Sequence, residues 1–387
     1  MPNKFVLASA GAGKTTTMVT EALDAVRNTQ SVLFLTYTRN NQAEIIKKIK
    51  EVNGTIPQKL KIKGWFSFLL EDLIRPYQRC LFSERISNIV FDQNAPHKRD
   101  GRTIPGRSET NNRQRYYLSN YKVHTTYISK LVTRICDLGK TGRGRTATYE
   151  AIERLASVYD LIVIDEIQDL VGWDYSVLDY ILSNQQISLY CVGDFRQTIY
   201  QTSHASKHPQ TSDQKRQWFT NKGFECQNLN HSWRCVQQIC AFADAVHMHQ
   251  GYEATNSKIE VVSEEFDKHV GVFSVSNENV GAYLNQYLPI VLRHAKNVRN
   301  DLCQKTFSQN FGEAKGLGFN RVLIIPTENY MNFLQGDPES LRTARTEEAL
   351  NKLYVAITRA RYSVAFLSDA IPTIDGISEW TPEPVYI

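Results

Sequence analysis

The feature that most constrains this chain is the segment at residues 8–15, which reads Ala-Ser-Ala-Gly-Ala-Gly-Lys-Thr. It directly follows the apolar triplet Phe5, Val6 and Leu7 and leads into the helix-prone stretch 16–27. Two glycines let the backbone turn tightly and point successive N–H groups inward, and the helix that follows turns the positive end of its dipole toward the same point. A strand, a glycine-rich turn and a helix in this order predict a loop that binds phosphate groups.

The side chains at the end of this loop suit a nucleotide with a bound cation. Lys14 would neutralise the β- and γ-phosphates, and the Thr15 hydroxyl would complete the shell of a Mg²⁺ ion. A flexible glycine loop without a ligand is the alternative, but it leaves the strand before it and the helix after it unexplained. We expect the following residues to surround the phosphates: Ser9, Ala10, Gly11, Ala12, Gly13, Lys14, Thr15 and Thr16.

Size and composition limit the class of protein. The chain has 387 residues, of which 42% are hydrophobic and 22% charged, as in soluble globular proteins. This length exceeds one ordinary core, so two main globular units are expected. No stretch approaches the ~20 apolar residues of a membrane-spanning helix, and no membrane partner is expected. The seven cysteines have no spacing typical of a metal site, which favours free thiols in the cytoplasm.

The basic residues are unevenly spread along a chain whose net charge is +5. Many of them concentrate in residues 97–145, where they form either an ordinary solvated surface or a contact with a polyanion. This basic run comprises Lys98, Arg99, Arg102, Arg107, Arg113, Arg115, Arg134, Lys140, Arg143 and Arg145.

Short apolar runs alternate with helix-compatible segments, which predicts an α/β fold with two parallel sheets covered by helices on both faces. The predicted strands are centred on residues 5–7, 32–35, 161–164, 189–192, 270–275, 322–325 and 364–367. The expected division is a first domain of residues 1–75 and 147–215, an inserted basic subdomain 76–146 with a helix at 116–137, a second domain 220–375, and a C-terminal tail 376–387.

Polar residues follow two of the predicted strands of the first domain, at the edge where ligands bind in open α/β sheets. Asp165 and Glu166 come directly after the apolar run 161–164. Adjacent carboxylates at the end of a buried strand repel each other unless a cation lies beside them. Asp165 is therefore the expected Mg²⁺ ligand, and Glu166 the base for an attacking water, although a solvated turn is the alternative. Gln197 is suited to hydrogen-bond both a γ-phosphate and that water.

Taken in order, eight segments of the chain resemble the helicase motifs of the UvrD/Rep type within superfamily 1. They are the phosphate loop, Thr36-Tyr-Thr-Arg-Asn40, Gly64-Trp-Phe-Ser-Phe68, Asp165-Glu-Ile-Gln-Asp169, Gly193-Asp-Phe-Arg-Gln-Thr-Ile-Tyr200, Leu229-Asn-His-Ser-Trp-Arg234, Gly312-Glu-Ala-Lys-Gly-Leu317 and Leu353-Tyr-Val-Ala-Ile-Thr-Arg-Ala360. The resemblance implies two RecA-like P-loop NTPase domains with an ATP site between them, and ATP and Mg²⁺ as cofactors.

For the second domain, the resemblance implies that Arg234 and Arg359 reach the γ-phosphate, where arginines stabilise transition-state charge. It also implies that Trp233 stacks on adenine and that Gly316 belongs to a segment that responds to both nucleotide and nucleic acid strand. A surface arginine or a core tryptophan is the alternative for each residue taken alone.

Single-stranded DNA is the substrate class that the resemblance implies. Tyr37, Arg39, Trp65 and Phe66 are the expected contacts in the first domain, and Tyr200 or His204 is expected to replace a tryptophan that the family uses for base stacking. The alternative for Trp65 and Phe66 is that they are core residues of an amphipathic helix.

Two hypotheses on function follow. The first is an ATP-dependent helicase or translocase that moves 3′ to 5′ on single-stranded DNA and acts on tailed duplexes. The second is a DNA-stimulated ATPase subunit that controls a partner, such as a nuclease or a repair or defence factor, without unwinding. The short stretch between Val275 and Lys315 leaves no room for the family's accessory subdomain, which favours the second. A small-molecule kinase is a further, poorly supported alternative, because such an enzyme needs neither Arg359 in a second sheet nor Gln168, the glutamine of the segment Asp165–Asp169.

Overall fold

The computed structural model describes residues 2–91, 95–99, 102–137, 147–199, 207–304, 306–342 and 347–383. Tyr200 and three members of the basic run, Lys140, Arg143 and Arg145, lie outside these residues. The chain forms two compact units. The first contains Met1–Leu7, Lys14–Gly193 and Tyr200–Gln227, and the second contains Ala8–Gly13, Asp194–Ile199 and Asn228–Ile387.

The strands are, in chain order, β1 (Lys4–Ala8), β2 (Val32–Thr36), β3 (Leu60–Gly64), β4 (Asn88–Val90), β5 (Lys98–Arg99), β6 (Arg102–Thr103), β7 (Leu118–Ser119), β8 (Lys122–His124), β9 (Leu161–Ile164), β10 (Ser188–Gly193), β11 (Glu225–Leu229), β12 (His231–Ser232), β13 (Asn256–Ser257), β14 (Gly271–Val275), β15 (Ile290–Arg293), β16 (Ser308–Asn310), β17 (Phe319–Ile324), β18 (Ala360–Leu367) and β19 (Ile377–Glu379).

The helices are α1 (Lys14–Arg27), α2 (Arg39–Asn53), α3 (Trp65–Phe68), α4 (Arg113–Tyr117), α5 (Thr125–Asp137), α6 (Ala147–Val158), α7 (Trp173–Leu182), α8 (Ser212–Asn221), α9 (Gln237–Ala245), α10 (Val280–Tyr287), α11 (Asn300–Cys303), α12 (Glu328–Leu334) and α13 (Glu348–Ile357).

The sheet of the first unit has the strand order β11-β1-β10-β9-β2-β3, and the neighbours from β1 to β3 pair in parallel. Every residue of β2 and β9 is buried, as expected for central strands of a parallel sheet that is covered on both faces. The carboxyl ends of β1, β2, β3, β9 and β10 therefore meet at one edge. That edge carries the phosphate loop and the polar segments singled out in the sequence.

Helix α2 begins directly beyond this edge. The Thr38 hydroxyl accepts a hydrogen bond from the Asn41 N–H at 3.1 Å and so caps the first turn. The helix ends at Gly54, whose φ of 77° suits glycine and whose N–H donates to the carbonyl of Lys50. This capping fixes Arg39 as the first residue of the helix.

The inserted segment contains both strands and helices. Strands β4, β8 and β7 form a small sheet, and β5 and β6 form an antiparallel pair. The helix predicted at 116–137 is shorter than expected, since α5 begins only at Thr125. The reason is a tight turn between β7 and β8, at which Asn120 and Tyr121 adopt φ values of 46° and 60° that no α-helix tolerates.

The sheet of the second unit has the order β16-β15-β17-β18-β14-β19, and all its neighbours are parallel. Alternate residues of β17 enter opposite cores, because successive side chains of a strand point to opposite faces. Val322 and Ile324 pack in the cluster that α9, α12 and α13 cover, whereas Leu323 packs with residues of α10. Helices thus cover both faces.

The predicted fold class, α/β with two RecA-like parallel sheets covered by helices and an insertion in the first, is confirmed. All seven predicted strands are present. None of the helices in the described ranges combines the length and the apolar character that a membrane crossing would require.

Candidate nucleotide-binding site

The phosphate loop connects β1 to α1, which begins at Lys14. Gly11 and Gly13 adopt φ values of 76° and 84°, in the left-handed region that favours glycine. Ser9, Ala10 and Ala12 are buried. The loop therefore has the tight, fixed backbone that the sequence predicts for a phosphate-binding turn.

Residues 232–234 pack directly on the glycines of this loop within the second unit. The Ser232 hydroxyl donates to the carbonyl of Ala10 at 2.8 Å, and the Trp233 N–H donates to the carbonyl of Gly11 at 2.9 Å. A Cβ atom at Gly11 would lie 2.6 Å from both the Cβ of Arg234 and the hydroxyl oxygen of Ser232. The approach of this segment thus requires glycine at position 11 on steric grounds as well as conformational ones.

Trp233 and Arg234 both lie beside the loop. The Trp233 side chain is 58% exposed, and its Cδ1 atom lies 3.8 Å from the position of a Cβ at Gly13. The Arg234 guanidinium donates to the carbonyl of Thr358 at 3.3 Å. An exposed indole at this place is available to a planar ring, and the guanidinium supplies positive charge next to the glycines.

A buried arginine lies behind the loop. Arg196, whose side chain is 2% exposed, forms ion pairs with Asp194 at 3.1 Å and with Asp244 at 2.9 Å. Its guanidinium carbon lies 4.7 Å from the ring centroid of Tyr252 and 4.6 Å from that of Tyr354. Two carboxylates and two aromatic faces thus compensate the desolvation of this cation.

The same cluster holds the backbone of the phosphate loop. Arg196 donates through Nη2 to the Ser9 hydroxyl at 2.9 Å. The Ala10 N–H donates to the Tyr354 hydroxyl at 3.3 Å, and that hydroxyl lies 3.2 Å from an Asp194 carboxylate oxygen to which it donates. Buried charge and a tyrosine of α13 therefore fix the first residues of the loop.

Gln197 connects this cluster to Arg359. Its side-chain amide donates to Asp194 at 2.9 Å, and its carbonyl oxygen accepts from Nη2 of Arg359 at 3.3 Å. Arg359 is 1% exposed and donates further to the carbonyls of Val355 at 3.0 Å and Leu317 at 3.1 Å. A polar network therefore runs from Arg359 through Gln197 and Asp194 toward the phosphate loop, inside one compact unit.

Lys14 and Thr15 begin α1 in the first unit, and Thr16 follows as an exposed residue. The Thr15 hydroxyl donates to the carboxylate of Glu44 on α2 at 3.2 Å. Burial, together with the neighbouring Glu166 carboxylate, holds the pKa of Asp165 well above its usual value, and the charge of Lys14 opposes this shift. A bound cation would favour the ionised carboxylate, so the hydroxyl and carboxylate oxygens here fit Mg²⁺.

Glu166 adopts a φ of 54°, which is uncommon for a residue with a side chain. Such backbone strain clusters at functional sites. The amide of Gln168 donates to the Glu166 carboxylate, and the Glu166 N–H donates to Asp165 at 2.9 Å. Gln168 is fully buried, so it holds the carboxylate from one side. In the described ranges no group of three or more His, Cys, Asp or Glu side chains converges on a metal site.

A protein-family model described as an AAA domain matches residues 1–203, which are more than half of the chain. The chain belongs to the AAA domain family. The match spans the phosphate loop, the carboxylates after β9 and Gln197, whereas Arg234 and Arg359 lie beyond it.

Among solved structures, the chain is similar to the arterivirus nonstructural protein 10 helicase, whose complex with DNA was determined. The two are 15% identical, the TM-score is 0.45, and the similarity covers 95% of this chain and 61% of that one. The chain thus spans less than two thirds of the length of that helicase. A search of curated proteins finds no match.

The residues expected to contact nucleic acid differ in exposure. Arg39 is exposed and Tyr37 is half-buried, both at the carboxyl edge of the first sheet. Trp65 and Phe66 are 2% and 7% exposed. The Trp65 indole N–H donates to Asp174 at 3.0 Å. This buried contact favours the alternative in which Trp65 is a core residue. Tyr200 and its alternative His204 lie outside the described residues.

Gly316 is exposed, adopts a φ of 88°, and has open space where a Cβ would lie.

Sequence analysis did not single out five residues that the structure brings to this site. Four of them lie inside the quoted motifs, and membership of a motif was the signal that the sequence carried for them. Glu44 lies in the interior of α2 and carried no signal of its own. The five residues are Glu44, Asp194, Arg196, Ser232 and Tyr354.

Proposed function

We propose that this protein is an ATP-driven motor of the UvrD/Rep type in superfamily 1, which moves 3′ to 5′ along single-stranded DNA. The observation that supports the proposal most is the packing of residues 232–234 on Gly11 of the phosphate loop, with Arg359 hydrogen-bonded to Gln197 in the same unit. A loop that binds phosphate needs no such arginines for binding alone, whereas hydrolysis does need cations near the γ-phosphate.

In the proposed reaction the protein binds ATP and stabilises the charge of the transferring phosphoryl group. The loop N–H groups and Lys14 hold the β- and γ-phosphates, and the Trp233 indole stacks on the adenine. Thr15 and Asp165 hold Mg²⁺, which supplies further charge neutralisation when bound. Gly316 is assigned to the segment that responds to nucleotide.

Glu166 is the proposed base. Its carboxylate takes a proton from the attacking water, whose oxygen then forms the new bond to the γ-phosphorus while the bond to the β-phosphate oxygen breaks. Gln197 orients that water, and Arg234 and Arg359 stabilise the charge that develops on the phosphoryl oxygens.

DNA binding is assigned to the exposed carboxyl edge of the first sheet. Tyr37 offers an aromatic face, and Arg39 lies at the N terminus of α2, where a phosphate is favoured by both charge and helix dipole. The same assignment extends to Tyr200. The basic run of the insertion adds positive charge in the same unit.

Two variants and two substrates test the proposal. Lys14→Ala and Glu166→Gln should both abolish ATP hydrolysis, and Glu166→Gln should still bind ATP. Exposed Lys47→Ala and Glu153→Gln are the matched controls and should hydrolyse ATP normally. The assays are ATPase rate with and without single-stranded DNA and displacement of duplexes bearing a 3′ or a 5′ tail.

Normal hydrolysis by Glu166→Gln would refute the base assignment, and equal ATPase rates with and without DNA would refute a DNA motor. Displacement only from 3′-tailed duplexes supports the stated direction. Strong stimulation by DNA without any displacement would instead support the regulatory-subunit hypothesis.

A further inference from the structure

Three aromatic residues lie just beyond the carboxyl ends of three strands in the first unit. Tyr37 directly follows β2, Phe66 is the second residue after β3, and Phe91 directly follows β4. The ring centroids of Tyr37 and Phe66 are 5.5 Å apart, and those of Phe66 and Phe91 are 5.7 Å apart, with edge-on geometry at both contacts. The three rings therefore form a continuous series.

Exposure along this series rises from the centre toward one end. Phe66 is 7% exposed, whereas Phe91 is 74% exposed, although Phe82 in the same insertion is 5% exposed. Leaving an aromatic face in water sacrifices favourable apolar burial. Phe91 meets the Phe66 ring at an interplanar angle of 74°, and its high exposure leaves most of its ring surface open to a planar ligand.

Positive charge lies close to the other end of the series. Tyr37 is separated from Arg39 only by the capping residue Thr38, and Arg39 begins α2, a helix of 15 residues. Its guanidinium and the N–H groups of the first turn favour a phosphate. Bases that stack on aromatic rings beside a track of phosphates are the usual arrangement in proteins that bind single strands without sequence preference.

We propose that Phe91 is a stacking surface for one base of a single-stranded nucleic acid whose backbone phosphates lie at Arg39 and the N terminus of α2. This inference rests on the proposed function, and it adds a contact from the inserted segment, outside the helicase-like motifs. Stacking requires a planar base but not a particular one, so the contact tolerates any sequence.

The test compares Phe91→Ala with Phe307→Ala, which removes a phenylalanine that is 59% exposed but lies in the second unit outside the aromatic series. The probes are an oligothymidylate and a sugar–phosphate oligomer of equal length without bases, and the readout is fluorescence anisotropy. We expect Phe91→Ala to weaken binding of the oligothymidylate by about 5-fold to 150-fold, the effect of one stacked base.

Binding of the oligomer without bases should be unchanged in Phe91→Ala, since its phosphates still reach Arg39. Phe91→Trp should bind oligothymidylate at least as well as the unmodified protein, and Phe307→Ala should bind it normally. Equal loss for both probes, or no loss for either, would overturn the inference. If the unmodified protein binds neither probe, the proposed function itself fails; if Arg39→Ala weakens both probes while Phe91→Ala weakens neither, only the Phe91 inference fails.

Discussion

Replacing Gly11 by alanine tests the packing of residues 232–234 on the phosphate loop. The added Cβ would lie 2.6 Å from the Cβ of Arg234 and 2.6 Å from the hydroxyl oxygen of Ser232. The Cβ of Arg234 is bonded directly to the backbone and cannot move without it, and the backbone N atom of Arg234 is itself only 3.2 Å from the added Cβ. The substitution must therefore displace the loop or the segment.

Two costs add up in this variant. A residue with a side chain at a φ of 76° costs about 1 kcal/mol relative to glycine. Forcing an extra methyl group into close-packed surroundings costs about 1–3 kcal/mol more. We expect a loss of about 2–4 kcal/mol, which lowers the melting temperature of a unit of this size by about 5–15 °C.

Two alanine variants separate these costs. Gly13→Ala introduces a side chain at a φ of 84°, but its nearest neighbour, Cδ1 of Trp233, is 3.8 Å away. Gly251→Ala, also in the second unit, does so at a φ of 64° with nothing within 4 Å. Both should lose only about 1 kcal/mol, the conformational cost alone.

The assay is thermal unfolding of the nucleotide-free protein, because added nucleotide would stabilise the variants unequally. If Gly11→Ala melts within a degree or two of Gly251→Ala, then residues 232–234 do not pack on the loop in solution. That result would remove the main support for the catalytic assignment of Arg234.

Of the three further predictions, two concern hydrogen bonds and one concerns the titration of a histidine. Tyr354→Phe should cost about 1–3 kcal/mol of unfolding free energy, because Asp194 and a loop N–H lose their partner; an unchanged urea midpoint would contradict this. Glu44→Gln should raise the Mg²⁺ concentration that gives half-maximal ATPase rate several-fold, which corresponds to about 0.5–1.5 kcal/mol, because Thr15 loses its charged acceptor. An unaltered Mg²⁺ requirement would contradict this prediction. Burial, then the charge of Arg321, lowers the pKa of His269 to about 4. As the pH falls, the unfolded chain therefore binds a proton at this histidine before the folded chain does. The free energy of unfolding should decrease between about pH 6.5 and about pH 4 by on the order of 2 kcal/mol, and this decrease should be missing in His269→Phe.

The strands that the sequence predicted are the apolar central ones, and those that it missed lie mostly toward the sheet edges. Residues 280–293 are compatible with a helix in sequence, but α10 ends at Tyr287, because Leu288 adopts a φ of 46° and Pro289 follows; β15 then begins at Ile290. Pro289 was a visible stop signal. Strand β3 alternates lysine with apolar residues and lies at an edge, so it lacked the continuous apolar run of a central strand.

The parts of the candidate site that lie within one short segment of the chain were predictable from the sequence. The phosphate loop and the carboxylates after β9 lie at strand ends, and the topology of a parallel sheet alone brings such residues to one edge. The partners of Ser9 and Ala10 were not predictable, because Arg196 and Tyr354 are far away in the sequence and meet the loop only after both have folded. Periodicity cannot assign such contacts.

Trp65 and Phe66 show a different limit. Both core and nucleic-acid contact were compatible with the sequence, since an aromatic residue next to a motif suits either. The buried indole of Trp65 donates a hydrogen bond to Asp174, whereas Phe66 packs against the exposed ring of Phe91. Phe91 itself lies in none of the quoted motifs. Burial, which depends on the whole fold, separates these cases.

Gln197 connects the proposed catalytic group Arg359 to Asp194 through hydrogen bonds. Its amide donates to Asp194 and its carbonyl oxygen accepts from Arg359, so both ends of the side chain are engaged. The amide nitrogen has a second hydrogen and the carbonyl oxygen a second lone pair, so Gln197 has one further donor and one further acceptor for a water at the γ-phosphate. Both bonds have one ionised partner, the Asp194 carboxylate in one and the Arg359 guanidinium in the other, and the bond to Arg359 is the longer. In the proposed mechanism Asp194 and Arg359 therefore hold Gln197 from both ends of its side chain, while the remaining donor and acceptor orient the water.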